Sequence, residues 1–108
     1  QQYGGFYWAY NRGMLEEYIW DPLTGVQLNP NYLDYRVAGI KDVAWDNINC
    51  RIVESGLGFG PYGSCGVGEV PGTQMPWNLG QAIYNAIGVR IEDYPITPDK
   101  VLKALGKG

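Results

Sequence analysis

Residues 78 to 105, NLGQAIYNAIGVRIEDYPITPDKVLKAL, carry the clearest structural pattern in this chain. The first half repeats apolar residues at the spacing of one helix face, namely Leu79, Ala82, Ile83, Ala86 and Ile87. Pro76 lies near the predicted start of this helix, and Gly88 lies where it should stop, because proline suits a first turn and glycine a C-terminal cap. The pattern predicts an amphipathic helix that packs one side against other parts of the fold.

A second, shorter helix is predicted at the end of the same stretch. Thr97 is a suitable N-cap, Pro98 a suitable first helical residue, and Asp99 an anion in the first turn. Gly106 follows Leu105 and marks the stop. Two consecutive helices are therefore expected at this end of the chain.

Upstream, the pattern changes from helical to extended and then to irregular. From Asn47 to Glu54, apolar and polar residues alternate, which predicts a half-buried strand. Val89–Ile91, between the two helices, is compatible with another short strand. Six glycines between Gly56 and Gly68 exclude regular structure and predict a shaped loop.

The first part of the chain predicts one more helix, from Gln2 to about Tyr18. Its aromatic and apolar residues recur every four positions, as Phe6, Tyr10, Met14 and Tyr18. Its three glycines, Gly4, Gly5 and Gly13, each cost about 1 kcal/mol relative to alanine. We therefore expect tertiary contacts to hold this helix and another backbone to approach it closely.

Two connecting segments follow that helix. Trp20–Gly25 has proline and glycine at turn positions, and Val26–Asp42 has few periodic signals. The expected structure is a turn followed by an extended surface loop.

Composition excludes several classes of protein. Of 108 residues, 45% are hydrophobic and 18% charged, which argues against disorder. Nine Tyr, four Trp and two Phe are more aromatic area than a small domain can cover alone, so we expect a large partner surface. A net charge of −3 without a Lys/Arg cluster gives no nucleic-acid footprint. Without a long apolar run or a signal-peptide pattern, the sequence predicts no membrane span and a cytoplasmic location.

The cysteines offer no obvious chemistry. The chain contains no histidine, which removes most zinc sites and every Ser-His or Cys-His arrangement. Cys65 is expected to be a buried, inert thiol. A disulfide with Cys50 is the less favoured alternative in a chain without secretory signs.

One segment has the composition of a ligand site: Gly66-Val67-Gly68-Glu69-Val70-Pro71-Gly72. Glycines on both sides of a carboxylate let backbone amides approach a bound group while the side chain points into a cleft. Spacing alone leaves open the plainer interpretation, in which Glu69 is only solvated.

This segment and its surroundings resemble a known family. Gly66-Val67-Gly68-Glu69, Pro71 and residues 78 to 105 closely resemble the C-terminus of the large subunit of molybdenum hydroxylases, which include xanthine dehydrogenase and aldehyde oxidoreductase. Upstream motifs occur in the family's order and spacing: Leu15-Glu16-Glu17, Asp21-Pro22, Thr24-Gly25, Asn29-Pro30-Asn31 and Leu33-Asp34-Tyr35. The resemblance covers essentially the whole chain.

The resemblance implies specific site residues. Glu69 matches the family's active-site base, which accepts a proton from a molybdenum-bound hydroxyl. Gln1 matches a glutamine that hydrogen-bonds the pterin cofactor, and an amide can supply both a donor and an acceptor to it. Gly66, Val67 and Gly68 complete the expected cofactor-binding set, and no residue of this chain is expected to ligate the metal.

The resemblance also implies the setting of the chain. Residues 1–108 would form the C-terminal part of a second molybdopterin-binding domain, of α+β class: an N-terminal helix, short strands, a glycine-rich loop and two C-terminal helices. The whole enzyme would oxidise an aldehyde or an aromatic N-heterocycle with water as oxygen source. Its cofactors would be molybdenum-molybdopterin here and iron-sulfur clusters and FAD in partner subunits, and this chain alone would be inactive.

Two positions depart from the family pattern. Trp8-Ala9 stands where a second glutamine and a glycine are common, and Val70-Pro71 where two prolines follow the glutamate. The first departure affects helix packing or a cofactor contact, and the second lies beside the expected substrate.

Two other functional classes remain open from sequence. The chain could be a noncatalytic structural or assembly subunit of such a complex, or a small binding domain without a metal partner. The aromatic residues Tyr3, Phe6, Tyr7, Trp8 and Tyr10 could form a substrate platform, but packing is the favoured interpretation.

Overall fold

A computed structural model describes all residues from Gln1 to Gly108. The chain forms four α-helices: α1 Gln2–Met14, α2 Val70–Thr73, α3 Met75–Ile87 and α4 Pro98–Ala104. Three single-turn 3₁₀ segments lie between α1 and α2, at Ile40–Asp42, Trp45–Asn47 and Pro61–Gly63. None of the helices has the length and apolar content needed to cross a membrane.

The predicted first helix is confirmed, but it is shorter than expected. It ends at Met14, because Leu15 leaves the helical region with φ −134° and ψ −45°. The N–H groups of Leu15 and Glu16 both donate to the carbonyl of Asn11 and close the last turn. Tyr18 therefore lies outside α1, and only the first three members of the four-residue stripe are helical.

Two glycines of α1 make its closest packing contacts. A Cβ atom built on Gly5 would lie 2.8 Å from Cβ of Pro71, and one built on Gly13 would lie 2.7 Å from Cδ1 of Leu79. Both distances are too short for real carbon atoms, so α2 and α3 approach α1 where its side chains are missing. The predicted close approach is confirmed, although the small residue Ala9, fully buried, occupies the centre of this face instead of the aromatic stripe.

Both helices predicted in residues 78 to 105 are confirmed. Gly88 ends α3 in the left-handed region with φ 72°, and its N–H donates to the carbonyl of Tyr84. Thr97 precedes Pro98 at the start of α4. Gly106, with φ 67°, donates its N–H to the carbonyl of Lys103 and ends the helical conformation just beyond α4.

The segment that leads into α4, residues 95–97, is the best buried part of the chain. Ile96 is fully buried, and its N–H donates to the carbonyl of Gly13 at 2.7 Å. The hydroxyl of Tyr94 donates to the carbonyl of Pro76 at 3.0 Å. These bonds tie the α3–α4 connection to the C-terminal end of α1 and to the start of α3.

The predicted strands are absent, which corrects this part of the α+β assignment. Asn47–Glu54 and Val89–Ile91 form no ladder, and the one β-bridge joins Trp20 to Gln27 across the turn predicted at Trp20–Gly25. A strand exists only when a neighbouring strand accepts its hydrogen bonds. The chain is therefore mostly helix and irregular segments, and Gly56–Gly68 is irregular apart from one 3₁₀ turn.

The chain is too extended to enclose a core of its own. Its radius of gyration is 17.4 Å, against about 13 Å for a compact chain of this length. Its accessible surface is 8449 Å², against about 6,000 Å² for a folded protein of this mass. Large apolar side chains such as Leu23, Leu33 and Phe59 are almost fully exposed. This shape supports the expectation of a large partner surface.

Candidate functional site

The start of α1 and the segment before α2 meet through a single hydrogen bond. The side-chain amide of Gln1 donates from Nε2 to the carbonyl of Gly68 at 2.8 Å. The two residues are 67 positions apart in sequence, and both are members of the site predicted from sequence. This bond holds the glycine segment against the first turn of α1.

Glu69 lies at the junction between this segment and α2. It is the N-cap residue of α2, and its carbonyl accepts the N–H of Gly72 at 2.8 Å. Its side chain is exposed and makes no capping hydrogen bond with the helix. The backbone of Glu69 is fixed while both carboxylate oxygens remain free to accept a proton or a donor.

Helix α2 is fixed by contacts with α1 that the sequence did not reveal. Gly72 is buried, and a Cβ atom built on it would lie 2.5 Å from the Trp8 ring. The guanidinium of Arg12 lies over the same ring, 4.7 Å from its centroid. Trp8 therefore packs and positions α2, and through it Glu69. The one signal for this role was the departure from the family pattern at Trp8.

A large open cleft lies beside the Gln1–Gly68 bond. Its volume is about 1020 Å³, and its walls come from the first turn of α1 and from residues 50–56 and 62–67. Gln1, Gly66 and Val67 line it, whereas Gly68 and Glu69 do not. The structure thus brings three predicted cofactor-binding residues to one cavity, and places Glu69 just outside the part of its wall that this chain supplies.

The backbone of the glycine segment is free to bind a ligand. The N–H groups of Gly66, Val67 and Gly68 donate no hydrogen bond within the chain. Cβ atoms built on Gly66 and Gly68 would have no neighbour within 4 Å, so packing in this chain does not require glycine there. Consecutive unpaired N–H groups next to an amide side chain fit a phosphate-bearing or pterin-type group.

Most aromatic residues of α1 serve packing, as favoured from sequence, whereas Tyr3 lines the cleft. Phe6 and Tyr10 stack with ring centroids 6.5 Å apart, and Tyr7 stacks on Trp45 at 5.8 Å. The Tyr7 hydroxyl also donates to the carbonyl of Ala38. The two contacts of Tyr7 attach the irregular middle of the chain to α1. The rings of Phe6, Tyr7 and Tyr10 do not line the cleft beside Gln1.

The expectation of a buried Cys65 thiol was wrong. Cys50 and Cys65 are both exposed, both free, and both line the same cleft. The next residue, Gly66, has no side chain that could cover the thiol.

Comparison with known proteins defines the class to which this fold and site belong. No family model matches the chain. The chain is 31% identical over 94% of its length to the putative xanthine dehydrogenase molybdenum-binding subunit XdhA of Escherichia coli. It is 30% identical over 85% of its length to the aldehyde oxidoreductase molybdenum-binding subunit PaoC of the same species. Over 43% of its own length, the chain is 50% identical to the aldehyde oxidoreductase of Megalodesulfovibrio gigas. The matched segment covers 5% of that protein.

The chain belongs to the xanthine dehydrogenase and aldehyde oxidoreductase family of molybdenum hydroxylases. It spans 13% of the length of XdhA and 12% of the length of PaoC. The family resemblance noted in the sequence is thereby confirmed.

Proposed function

We propose that this chain supplies the catalytic base and part of the cofactor cleft of a molybdenum hydroxylase. The enzyme would be an oxidoreductase that converts an aldehyde or an aromatic N-heterocycle to its hydroxylated product, with water as oxygen source. The observation that carries this proposal is the Gln1–Gly68 hydrogen bond, which brings together two predicted site residues that are 67 positions apart in sequence. The relatives, which are named as molybdenum-binding subunits, support the same assignment.

The residues present fit a molybdopterin cofactor. Gln1 would contact the cofactor through its amide oxygen. This oxygen is available because the hydrogen bond to Gly68 uses only Nε2. Gly66, Val67 and Gly68 would offer their unpaired N–H groups to its polar edge. When bound, the cofactor supplies a two-electron oxidation of the substrate carbon. Iron-sulfur clusters and FAD in partner subunits would carry the electrons away.

Glu69 would act as general base in this reaction. Its backbone is held by α2, and its carboxylate makes no bond that a proton transfer would have to break. The rest of the subunit would cover this exposed side chain and exclude water. A carboxylate shielded from water accepts a proton more readily, because burial disfavours its charged form.

Replacement of Glu69 by glutamine in the assembled enzyme tests this role. Glu69→Gln keeps the shape of the side chain and removes its basicity, so turnover of aldehydes and N-heterocycles should fall about 10²- to 10⁴-fold. Molybdenum content, measured by elemental analysis, should stay unchanged. The matched control is Glu92→Gln, an exposed glutamate outside the cleft. Unchanged turnover in Glu69→Gln would instead favour a noncatalytic structural or assembly role.

A further inference from the structure

One segment of the cleft wall has a row of backbone N–H groups that no acceptor in this chain satisfies. From Ile48 to Gly58 the chain runs without a turn, bend, helix or ladder. A row of consecutive N–H groups along it donates no hydrogen bond, namely those of Asn49, Cys50, Arg51, Ile52, Val53 and Glu54. Native proteins pair the great majority of such groups, with protein or with water.

The side chains of the same segment are those of a strand. Apolar and polar residues alternate along it, which is why the sequence predicted a strand there. Ile52 is 84% exposed and Val53 87% exposed, so these β-branched residues cover nothing in this chain. The predicted strand does not form because this chain contains no partner strand for it, although the segment has a strand-forming sequence.

Contacts with α1 leave one edge of this segment open. The side-chain amide of Gln2 donates to the carbonyl of Arg51 at 3.4 Å. The Tyr3 hydroxyl donates to the carbonyl of Ile48 at 3.2 Å, just before residues 49–54 begin, so this second contact does not bear on which edge of those residues is open. In an extended chain, the N–H and C=O of one residue point to the same side. The backbone of Arg51 thus faces α1, and the N–H groups of Cys50 and Ile52 face away from it.

We propose that residues 49–54 form an edge strand that pairs with a strand contributed by the rest of the molybdenum-binding subunit. This inference rests on the proposed function, because it assumes that the chain works inside such a subunit. A strand added to an open edge forms main-chain hydrogen bonds with it. The added strand also packs its side chains against every second side chain of the edge strand. The pairing would fix one wall of the cleft beside Gln1.

Two observations favour the remaining subunit over a second copy of this chain as the partner. The chain spans only 13% of the length of its relative XdhA, so most of the polypeptide of such a subunit lies outside it. The chain also exposes roughly 2,400 Å² more surface than a compact protein of its mass. Exposed apolar residues far from this segment, such as Leu23 and Leu33, contribute to that surface. Pairing of two six-residue strands would leave most of it uncovered.

Hydrogen exchange in the complete molybdenum-binding subunit tests the pairing directly. The amides of Cys50 and Ile52 should exchange at least about 100-fold more slowly than those of unstructured peptides of the same sequence. Exchange of both amides at the unstructured rate would overturn the proposal. Protection that disappears on dilution to monomeric subunit would also overturn it, because the partner strand would then come from a second copy.

Two variants of the complete subunit give an independent test. Ile52→Pro removes the N–H of residue 52, which would face away from α1 and donate to the partner strand. This variant should lower the yield of folded complete subunit at least tenfold. Ile52→Thr keeps the N–H and the branched side chain, and should assemble normally. Equal yields from the two variants would contradict the pairing. The exchange measurement repeated on Glu69→Gln separates this inference from the proposed function, since amide protection needs no catalytic base.

Discussion

Glu69 is held in position by neighbouring residues and makes no side-chain bond of its own. Gln1 fixes the preceding residue, Gly68, through its side-chain amide, and Trp8 packs on Gly72, in the helix that Glu69 caps. Sequence resemblance predicted Glu69 and Gln1 as site residues. It could not show the role of Trp8, because the contact between an aromatic ring and a distant glycine leaves no periodic or compositional pattern.

Loss of the Gln1 amide should weaken cofactor retention. Gln1→Ala removes the hydrogen bond to Gly68 and one contact expected for the pterin. One hydrogen bond contributes about 0.5–1.5 kcal/mol, so the enzyme should lose molybdenum about two- to tenfold more readily on dialysis. Gln74→Ala is the control, because that exposed glutamine makes no capping hydrogen bond and lies outside the cleft. Equal molybdenum loss from the two variants would show that Gln1 does not hold the cofactor.

Tyr35 should make stability fall at high pH. Burial, with a hydrogen bond donated to Glu16 at 2.9 Å, raises the pKa of Tyr35 to about 12. The folded chain therefore keeps this proton more tightly than the unfolded chain, whose tyrosines titrate near 10. The stabilisation is fully present below pH 10 and is lost as the pH rises from 10 to 12.

Melting temperatures of the complete subunit between pH 8 and 12 check this pH dependence. Tyr35→Phe should flatten the decrease above pH 10, because it removes the titrating hydroxyl. Parallel melting curves for wild type and Tyr35→Phe would count against this assignment.

At the scale of elements, the helices were predictable and the strands were not. Helices α3 and α4 satisfy their hydrogen bonds internally, so proline, apolar spacing and glycine stops near each helix suffice to locate them. The end of α1 was misplaced because Tyr18 continues the four-residue spacing after the backbone has left the helix. A strand depends on a second strand elsewhere, and alternation in Asn47–Glu54 carries no information on whether that partner lies in the same chain.

The contact between α1 and α2 can be tested with two adjacent glycines. Both lie in α1 and would gain about 0.5–1 kcal/mol of helix propensity on replacement by alanine. Gly4→Ala meets no atom within 4 Å and should raise the melting temperature of the subunit. Gly5→Ala would place a methyl group 2.8 Å from Cβ of Pro71, an overpacking that costs about 1–3 kcal/mol.

Gly5→Ala should accordingly lower the melting temperature, and should also reduce turnover, because Pro71 lies two residues from Glu69. Equal melting temperatures for the two variants would show that α2 does not press on α1 at Gly5.

At the scale of the whole molecule, the chain leaves much of its surface uncovered. Its glycine segment and its exposed apolar residues face space that this chain does not fill. Composition indicated a partner surface, since so many aromatic residues could not be covered locally. The substrate could not be inferred, because the cleft that this chain lines is open and carries no pattern specific to one substrate.

The proposed mechanism requires Glu69 to accept a proton during catalysis. The pH dependence of kcat/KM for the assembled enzyme measures this most directly, since its acidic limb reports the base of the free enzyme. We expect wild type and Glu92→Gln to lose activity as the pH falls. Glu69→Gln should show a small residual rate without that acidic limb. The same acidic limb and rate in Glu69→Gln as in wild type would contradict the account.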